Sequence, residues 1–277
     1  MDYKGFGFKA GLEIHQQIEG NKLFCSCPSV VHDEHEADIF FERKLRAAAG
    51  ETGIVDKAAQ YEMKKERLYK YSACSSSSCL VEFDEEPPQM VNMHAFHVAL
   101  EVSLLLHAHI VDSIHFMRKT VVDGSNVSGF QRTALIALNG YIETSRGKVG
   151  IPTICLEEEA AKKVEEQEHV VHFRLDRLGV ALVEIATDAS IQDPEHAKEI
   201  ASLLGMILRS TGKVKRGIGS IRQDVNVSIA GHPRVELKGF QELRYMPKVI
   251  ESEIKRQIAE KHGVAHVRKV NPDGSST

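Results

Sequence analysis

The segment that decides the fold covers residues 7–18 and reads GFKAGLEIHQQI. Apolar and polar side chains alternate along it, which is the pattern of a β-strand with one buried face. Leu12 and Ile14 therefore point toward a predicted core, whereas Glu13 and His15 share the opposite face of the strand. We expect a sheet in which one face is apolar and the other face carries ionisable groups.

Further strand-like segments predict the rest of this sheet. They are a strand that ends near Arg118, a meander at 133–158, and strands at 180–187, 218–230 and 234–239. The last two strands are joined across Gly231–Pro233 and predict an antiparallel hairpin. Within the meander, Asn139-Gly140 and Ser145–Gly147 are expected turns, because such residues favour the conformations of tight hairpins.

Helices are predicted where apolar residues recur at helical spacing or where helix-forming residues dominate. The predicted helices cover residues 36–50, 56–71, 90–106, 193–212 and 243–262. The clearest begins at Asp193, an N-cap residue that is followed by proline and glutamate, and it closes at Gly212. The combination indicates an α+β fold, a mostly antiparallel β-sheet with helices packed on one face.

The composition limits the classes of function. The chain of 277 residues has a formal net charge of -4, and without a basic excess it should bind nucleic acid only weakly by itself. A short basic cluster (Lys213, Lys215, Arg216 and Arg222) fits either phosphate contacts or a solvated surface. No stretch reaches the roughly 18 apolar residues of a membrane helix and no signal peptide is recognisable, so we expect a cytoplasmic protein with no membrane partner.

The cysteines indicate a metal rather than a disulfide framework, because their number is odd in a chain of cytosolic character. Four of the five form two close pairs, Cys25 with Cys27 and Cys74 with Cys79. Two pairs of thiolates suit tetrahedral zinc, and four sulfur ligands would make the site structural. Unligated loop thiols are the alternative. The nearby segment His32–His35 offers further ligands, although an acidic surface explains it more simply.

Compact polar side chains recur on one face of the predicted strands. They are Glu13, His15, Glu157, Glu184, Arg222, Asp224, Asn226, Glu236 and Lys238. Several carboxylates and a histidine on one face repel one another unless a cation or a ligand neutralises them, and this donor set suits magnesium or manganese. Two interpretations stay open: a metal–phosphate site, or a sheet face that contacts solvent.

Several familiar motifs are absent from the sequence. It contains no G-x-x-x-x-G-K-[ST] loop, so ATP would not be held in a P-loop. Neither a G-x-S-x-G elbow nor an H-E-x-x-H helix occurs. No local arrangement of nucleophile and base is recognisable for the release of ammonia from an amide. A metal–phosphate site, if present, would therefore lack a standard nucleotide motif.

Five ordered motifs resemble the signatures of the B/E subunits of glutamyl-tRNA(Gln) amidotransferases. They are Gly11–His15 (GLEIH), Cys155–Ala160 (CLEEEA), Leu182–Ile185 (LVEI), Gly219–Asn226 (GSIRQDVN) and Val235–Gly239 (VELKG). Ser125–Thr133 (SNVSGFQRT) is more similar to the archaeal E type than to the B type. The resemblance runs from about residue 5 to residue 260, nearly the whole chain.

The resemblance implies a cradle domain that binds ATP and Mg²⁺ and phosphorylates the γ-carboxylate of Glu-tRNA(Gln). Ammonia from an asparaginase-like partner, the D-type subunit, would then displace the phosphate to give Gln-tRNA(Gln). It implies that His15, Glu157 and Glu184 bind magnesium, with Glu13 in support, and that Arg222 neutralises the transferring phosphoryl group. Asp224 and Lys238 are expected in catalysis, and Asn226, Glu236 and Lys238 in binding the nucleotide.

The resemblance also predicts the domain organisation. Residues 1–265 would form the cradle, with a Cys-rich, zinc-stabilised element at about 20–85, and residues 266–277 a polar tail at the boundary to an insertion domain. Full-length E-type subunits continue well beyond this length, so we expect a fragment that binds nucleotide and metal better than tRNA. Two other functions are kept as alternatives: a magnesium-dependent phosphohydrolase, and a non-catalytic zinc-stabilised scaffold that docks a partner.

Overall fold

The computed structural model describes residues 1–32, 36–47, 49 and 53–260, together with the backbone of 267–269. The strands are β1 (Lys9–Gln17), β2 (Ile39–Lys44), β3 (Leu68–Ala73), β4 (His109–Ile110), β5 (Phe116–Thr120), β6 (Phe130–Thr144), β7 (Gly147–Glu158), β8 (Lys162–Glu166), β9 (Val170–Arg174), β10 (Ala181–Ala186), β11 (Ile221–Ser228), β12 (Val235–Phe240) and β13 (Val267–Lys269). The helices are α1 (Lys57–Met63), α2 (Met93–Leu105), α3 (Pro194–Ser210) and α4 (Met246–Ala259).

The large sheet has β1 near its centre. Its strand order is β13-β12-β11-β1-β10-β7-β6-β4, with β5 also paired to β6, and its pairs are antiparallel apart from β12 with β13. Leu12 and Ile14 of β1 are buried in a core to which α2, α3 and α4 also contribute. Glu13 and His15 lie on the other face and are only partly buried. The predicted α+β class, with helices against one face, is confirmed.

Locally encoded elements follow the expectations. The α3 helix begins after Asp193, whose side chain accepts a hydrogen bond from the backbone N–H of His196 (2.9 Å), and this bond satisfies one of the free donors of the first turn. The predicted hairpin is formed by β11 and β12. Among the residues described, no helix combines the length and the apolar character that a membrane span requires. The predicted tail at 266–277 lies outside those residues, apart from the backbone of β13.

A smaller sheet corrects the two helices expected at 36–50 and 56–71. Its order is β2-β3-β9-β8, and α1 is a helix of only seven residues between its first two strands. Phe41 and Tyr71 stack with ring centroids 5.0 Å apart, and Tyr71 packs with Phe173 of β9 in a second apolar core. Pairing with β9, which is remote in sequence, and burial of aromatic rings outweigh the helical preference of the Lys, Glu and Ala residues nearby.

The expected turn at Asn139-Gly140 is also wrong, because β6 runs through both residues and the hairpin turn lies between Thr144 and Gly147. A Cβ atom on Gly140 would lie 2.7 Å from the carbonyl oxygen of Leu106. The backbone N–H of Tyr141 donates a hydrogen bond to that same oxygen (2.8 Å). Gly140 therefore lets the end of α2 approach the sheet. The strand expected before the meander is divided into β4 and β5.

Candidate active site

Four of the predicted site residues meet around the imidazole of His15. Its Nε2 atom lies 3.6 Å from Glu13 Oε1, 3.5 Å from Glu157 Oε1 and 3.6 Å from Glu184 Oε2. These residues come from β1, β7 and β10, which are neighbours in the sheet. His15 is directly opposite Glu184 in the β1–β10 register. Alternation along each strand places all four side chains on the face opposite the helices.

The cluster concentrates negative charge in a partly buried place. The side chain of Glu157 is 1% exposed, and burial together with repulsion from Glu184 raises the pKa of its carboxyl group. Burial and Glu184 also raise the pKa of Glu13. Burial opposes ionisation of Glu184 as well, but the attraction of nearby His15 and Lys119 outweighs it and lowers that pKa. The pKa of His15 is raised, because the surrounding carboxylates outweigh its burial. The cluster therefore favours added positive charge.

Lys119 is a member of this site that sequence reasoning missed. Its Nζ atom lies 3.8 Å from Glu157 Oε2 and 3.9 Å from Glu184 Oε2. Lys119 belongs to β5 at the sheet edge, and β6 and β7 bring that strand to the cluster. Between the paired strands β6 and β7, Thr133 donates a hydrogen bond from Oγ1 to Glu157 Oε2 (3.2 Å). Alternation within Phe116–Thr120 could have suggested the face of Lys119, but not its distance from the carboxylates.

The donor set fits a magnesium or manganese ion. Glu13, His15 and Glu184 offer ligand atoms that all lie within 4.8 Å of one another. Within the described part of the chain, Glu184 Oε2 is buried without a hydrogen-bond partner. A buried carboxylate oxygen without a partner is costly, and a cation would satisfy it. Carboxylate oxygens with one imidazole nitrogen are ligands that suit these hard cations.

Arg222 lies beside the cluster, because it is directly opposite His15 in the β1–β11 register. Its Nη1 atom donates a hydrogen bond to Glu159 Oε2 at 2.6 Å. Glu159 is 2% exposed, and the positive charges of Arg222 and Arg177 outweigh its burial and lower its pKa. Arg222 is therefore paired with a buried carboxylate to which sequence reasoning gave no role.

The remaining predicted residues lie farther along the same face. Asp224 is opposite Glu13 and accepts hydrogen bonds from Lys238 Nζ (3.4 Å) and from the backbone N–H of Gly239 (3.1 Å). Lys238 also lies 2.9 Å from Glu236. Asn226 lies opposite Glu236 on β12 and contributes to a groove of about 330 Å³ that Glu13 also lines. The metal-ligand candidates thus form one group, and the others extend from it toward the groove.

Residues 8–277 match the family model described as the GatB/GatE catalytic domain. The chain belongs to this family. It is similar to the E-type subunit of the glutamyl-tRNA(Gln) amidotransferase of Archaeoglobus fulgidus, with 51% identity over 93% of this chain and 42% of that protein. The E-type subunit of Methanosarcina acetivorans is 53% identical over 93% of this chain and 41% of that protein. The E-type subunit of Aeropyrum pernix is 52% identical over 94% of this chain and 40% of that protein.

This member of the GatB/GatE family therefore spans about two fifths of the length of the curated relatives it matches, since the covered shares are 40 to 42%. The family resemblance stated from the ordered motifs is confirmed. His15 and the three glutamates around it lie within the matched range, and so does every other predicted site residue.

A second group of metal-ligating side chains lies elsewhere in this GatB/GatE domain. Cys25, Cys27, Cys79 and Glu82 place ligand atoms within 4.8 Å of one another. Glu82 Oε1 lies 3.0 Å from Cys25 Sγ, and Glu82 Oε2 accepts a hydrogen bond from the backbone N–H of Cys79 (2.8 Å). Burial and the carboxylate of Glu82 raise the pKa of both Cys25 and Cys27. Three thiols and a carboxylate are compatible with a structural zinc site.

The expected fourth ligand, Cys74, is not in this group. Its Sγ atom donates to the backbone carbonyl of Glu36 (3.1 Å) and lies 3.9 Å from Arg174 Nη2. Cys74 directly follows β3, whereas Glu82 is three residues after Cys79 in a tight turn that brings the two side chains together. His32 Nδ1 contacts Glu36 instead (3.5 Å), and His35 lies outside the described residues. Sequence spacing between cysteines could not reveal a carboxylate ligand.

Proposed function

We propose that this chain carries the site that activates glutamate on tRNA for amidation. In the first step a γ-carboxylate oxygen of Glu-tRNA(Gln) attacks the γ-phosphorus of ATP, and ADP leaves. In the second step ammonia attacks the acyl carbon, inorganic phosphate leaves, and Gln-tRNA(Gln) forms. The observation that carries the proposal is the convergence of Glu13, Glu157 and Glu184 on Nε2 of His15, with an oxygen of Glu184 that has no hydrogen-bond partner among the described residues.

Magnesium would be held by His15, Glu157 and Glu184, with Glu13 in support. When bound it would screen the phosphate charges, which otherwise repel the attacking carboxylate. The cluster is suited to this task because three carboxylates, those of Glu13, Glu157 and Glu184, lie 3.5 to 3.6 Å from one imidazole nitrogen, that of His15. The described residues thus provide the negative charge that a divalent cation requires.

Arg222 would neutralise the transferring phosphoryl group. It is beside His15 in the sheet, and fixed positive charge directed at a phosphoryl group stabilises its transfer because no reorganisation is needed during the reaction. Lys119 would add a second positive charge from the opposite side of the cluster. Asp224 and Lys238 would position the incoming groups, and Asn226 and Glu236 would contact the nucleotide along the adjoining groove.

The curated relatives are named subunits of a glutamyl-tRNA(Gln) amidotransferase. We infer an equivalent assembly for this chain, with an asparaginase-like D-type subunit as the source of ammonia and with tRNA held largely outside the residues of this domain. The centre of Cys25, Cys27, Cys79 and Glu82 would be structural and bind zinc. Such a centre would join residues 25–27 to residues 79–82, which are distant in sequence. The proposed place of action is the cytoplasm.

Calorimetric titration of the chain with ATP and Mg²⁺ tests this function. We expect binding that requires magnesium and is lost in Glu157→Ala and in Glu184→Ala. Glu143→Ala is the matched control, because that glutamate lies on the exposed hairpin end with its side chain 64% exposed. Binding that persists in both cluster variants would contradict the proposal, as would a folded wild type that binds no nucleotide.

A further inference from the structure

We propose that Glu159 is a positioning residue that holds the guanidinium of Arg222 toward the transferring phosphoryl group. This inference rests on the proposed function, because it assigns Arg222 to the phosphate. Sequence motifs placed Glu159 at the end of a glutamate run and gave it no role, whereas the structure separates it from its neighbours. Glu157 joins the His15 cluster, Glu158 pairs with Arg132, and Glu159 pairs with Arg222.

The contacts of Glu159 show a carboxylate that is built into its place. Its Oε2 atom accepts hydrogen bonds from Arg222 Nη1 (2.6 Å) and from Gln17 Nε2 (3.3 Å). Its Oε1 atom accepts one from the backbone N–H of Ala160 (3.2 Å) and lies 3.9 Å from Arg177 Nε. The backbone of Glu159 is fixed too, since its N–H donates to the carbonyl of Val180 (2.7 Å). A carboxylate with these partners has little freedom to move.

Arg177 is committed to the backbone and cannot replace Arg222 in the site. Its Nε and Nη2 atoms donate hydrogen bonds to the carbonyls of Ala160 and Ala161, each at 2.9 Å. It therefore fixes the segment after β7 and adds positive charge beside Glu159. The carboxylate of Glu159 therefore makes its short hydrogen bond with Arg222 (2.6 Å).

Arg222 has one end held and another end accessible. Its side chain is 32% exposed, against 2% for Glu159. Within the described residues, the hydrogen-bond acceptor of Arg222 is Glu159, through one guanidinium nitrogen. The other N–H groups of the fork are left for a ligand, and a planar guanidinium has the geometry to bind phosphate oxygens with them. Without Glu159 the long side chain would spread over many rotamers, and binding would have to restrict it again.

The test compares ATP–Mg²⁺ affinity in the wild type, Glu159→Gln and Glu158→Gln by calorimetry. Glutamine keeps the size of the side chain but removes the charge, and loss of a charge-assisted hydrogen bond should weaken affinity about 10- to 100-fold. Glu158→Gln is the matched control: it alters an adjacent buried carboxylate that binds Arg132 instead (3.0 Å), and it should bind as the wild type does. Circular dichroism establishes folding in each case.

Rescue by free guanidinium separates positioning from a general structural effect and does not depend on the folding of Glu159→Gln. Arg222→Ala leaves an opening beside Glu159, and guanidinium at concentrations far below denaturing ones should restore part of the ATP affinity. The same ion should have no effect on the double variant Arg222→Ala/Glu159→Gln. Wild-type affinity in folded Glu159→Gln, or equal rescue with and without Glu159, would overturn the inference. A wild type that binds no ATP would instead overturn the proposed function on which it rests.

Discussion

Replacing Glu157 by glutamine should stabilise the chain in the absence of a divalent cation. The side chain is 1% exposed and belongs to a cluster with two other carboxylates. Its ionised form is disfavoured by burial and by repulsion from Glu184, and both effects raise its pKa. Glutamine keeps the shape of the side chain and one acceptor oxygen without the charge. The charge of Glu157 would thus serve a bound cation and lower the free energy of unfolding when no cation is present.

The magnitude follows from the geometry. Glu157 and Glu184 each contact the same nitrogen of His15, so their nearest carboxylate oxygens are no more than about 7 Å apart, where two like charges repel by about 2 kcal/mol at an effective dielectric constant of about 20. Desolvation adds to this cost, and attraction to His15 and Lys119 reduces it. We therefore expect a gain of about 1–3 kcal/mol in the free energy of unfolding, or several degrees in Tm.

The sign of the pH dependence is specific. The pKa of Glu157 is about 7 in the folded chain and 4.5 ordinarily, so the unfolded chain releases this proton at a lower pH. The stability of the wild type therefore falls as the pH rises from 4.5 to about 7. The advantage of Glu157→Gln should be absent below the ordinary pKa and complete at about pH 8, where both states of the wild type are ionised.

Urea unfolding below pH 4.5 and at about pH 8, each with EDTA and with Mg²⁺, measures these effects. Magnesium should stabilise the wild type and have little effect on the variant, because a ligand stabilises the state that binds it. The control is Glu143→Gln, which alters an exposed pair with Lys148 (3.4 Å) and should change stability by less than about 0.5 kcal/mol. A Glu157→Gln chain that is less stable than the wild type at the higher pH without metal would refute this reasoning.

Three further predictions concern other parts of the molecule. Gly140→Ala should lower the free energy of unfolding in urea by about 1–3 kcal/mol, because the new Cβ would meet a backbone oxygen at 2.7 Å. Gly205→Ala in α3 should instead raise it by about 0.5–1 kcal/mol, because the new Cβ meets only the end of a flexible arginine side chain. Equal effects of the two substitutions would contradict the packing argument. Metal analysis of the purified chain should find zinc in the wild type and in Cys74→Ser but not in Cys79→Ser, and loss of zinc from Cys74→Ser would restore the four-cysteine set. Lys119→Ala should bind Mg²⁺ alone about tenfold more tightly, because a competing ammonium 3.8 Å from Glu157 is gone, and weaker binding in calorimetry would show that Lys119 does not compete with the cation.

Part of the candidate active site could be predicted from local sequence patterns. Alternation placed Glu13 and His15 on one face of β1, and Arg222 and Asp224 on one face of β11, because the side-chain period of a strand is two whatever the strand pairs with. The ordered motifs then indicated the family, which the match over residues 8–277 confirms. The roles assigned to these residues stay proposals.

Other parts of the site depended on contacts that no local pattern contains. Lys119 reaches the carboxylates only because β5 pairs with β6 and β6 with β7. Glu82 replaces Cys74 in the cysteine group because a turn after Cys79 directs it there. Each outcome depends on which strands and loops become neighbours.

The sequence by itself determined the elements that are stabilised within a few residues: the α3 helix with its Asp193 cap, the hairpin of β11 and β12, and the two faces of β1. Only the tertiary structure decided that residues 39–44 and 68–73 form strands, and that Glu157, Glu158 and Glu159 serve three separate partners. The physical reason is the range of the interactions involved. Caps and alternation act between near neighbours, whereas strand pairing, aromatic burial and charge clusters gain their energy from residues that are distant along the chain.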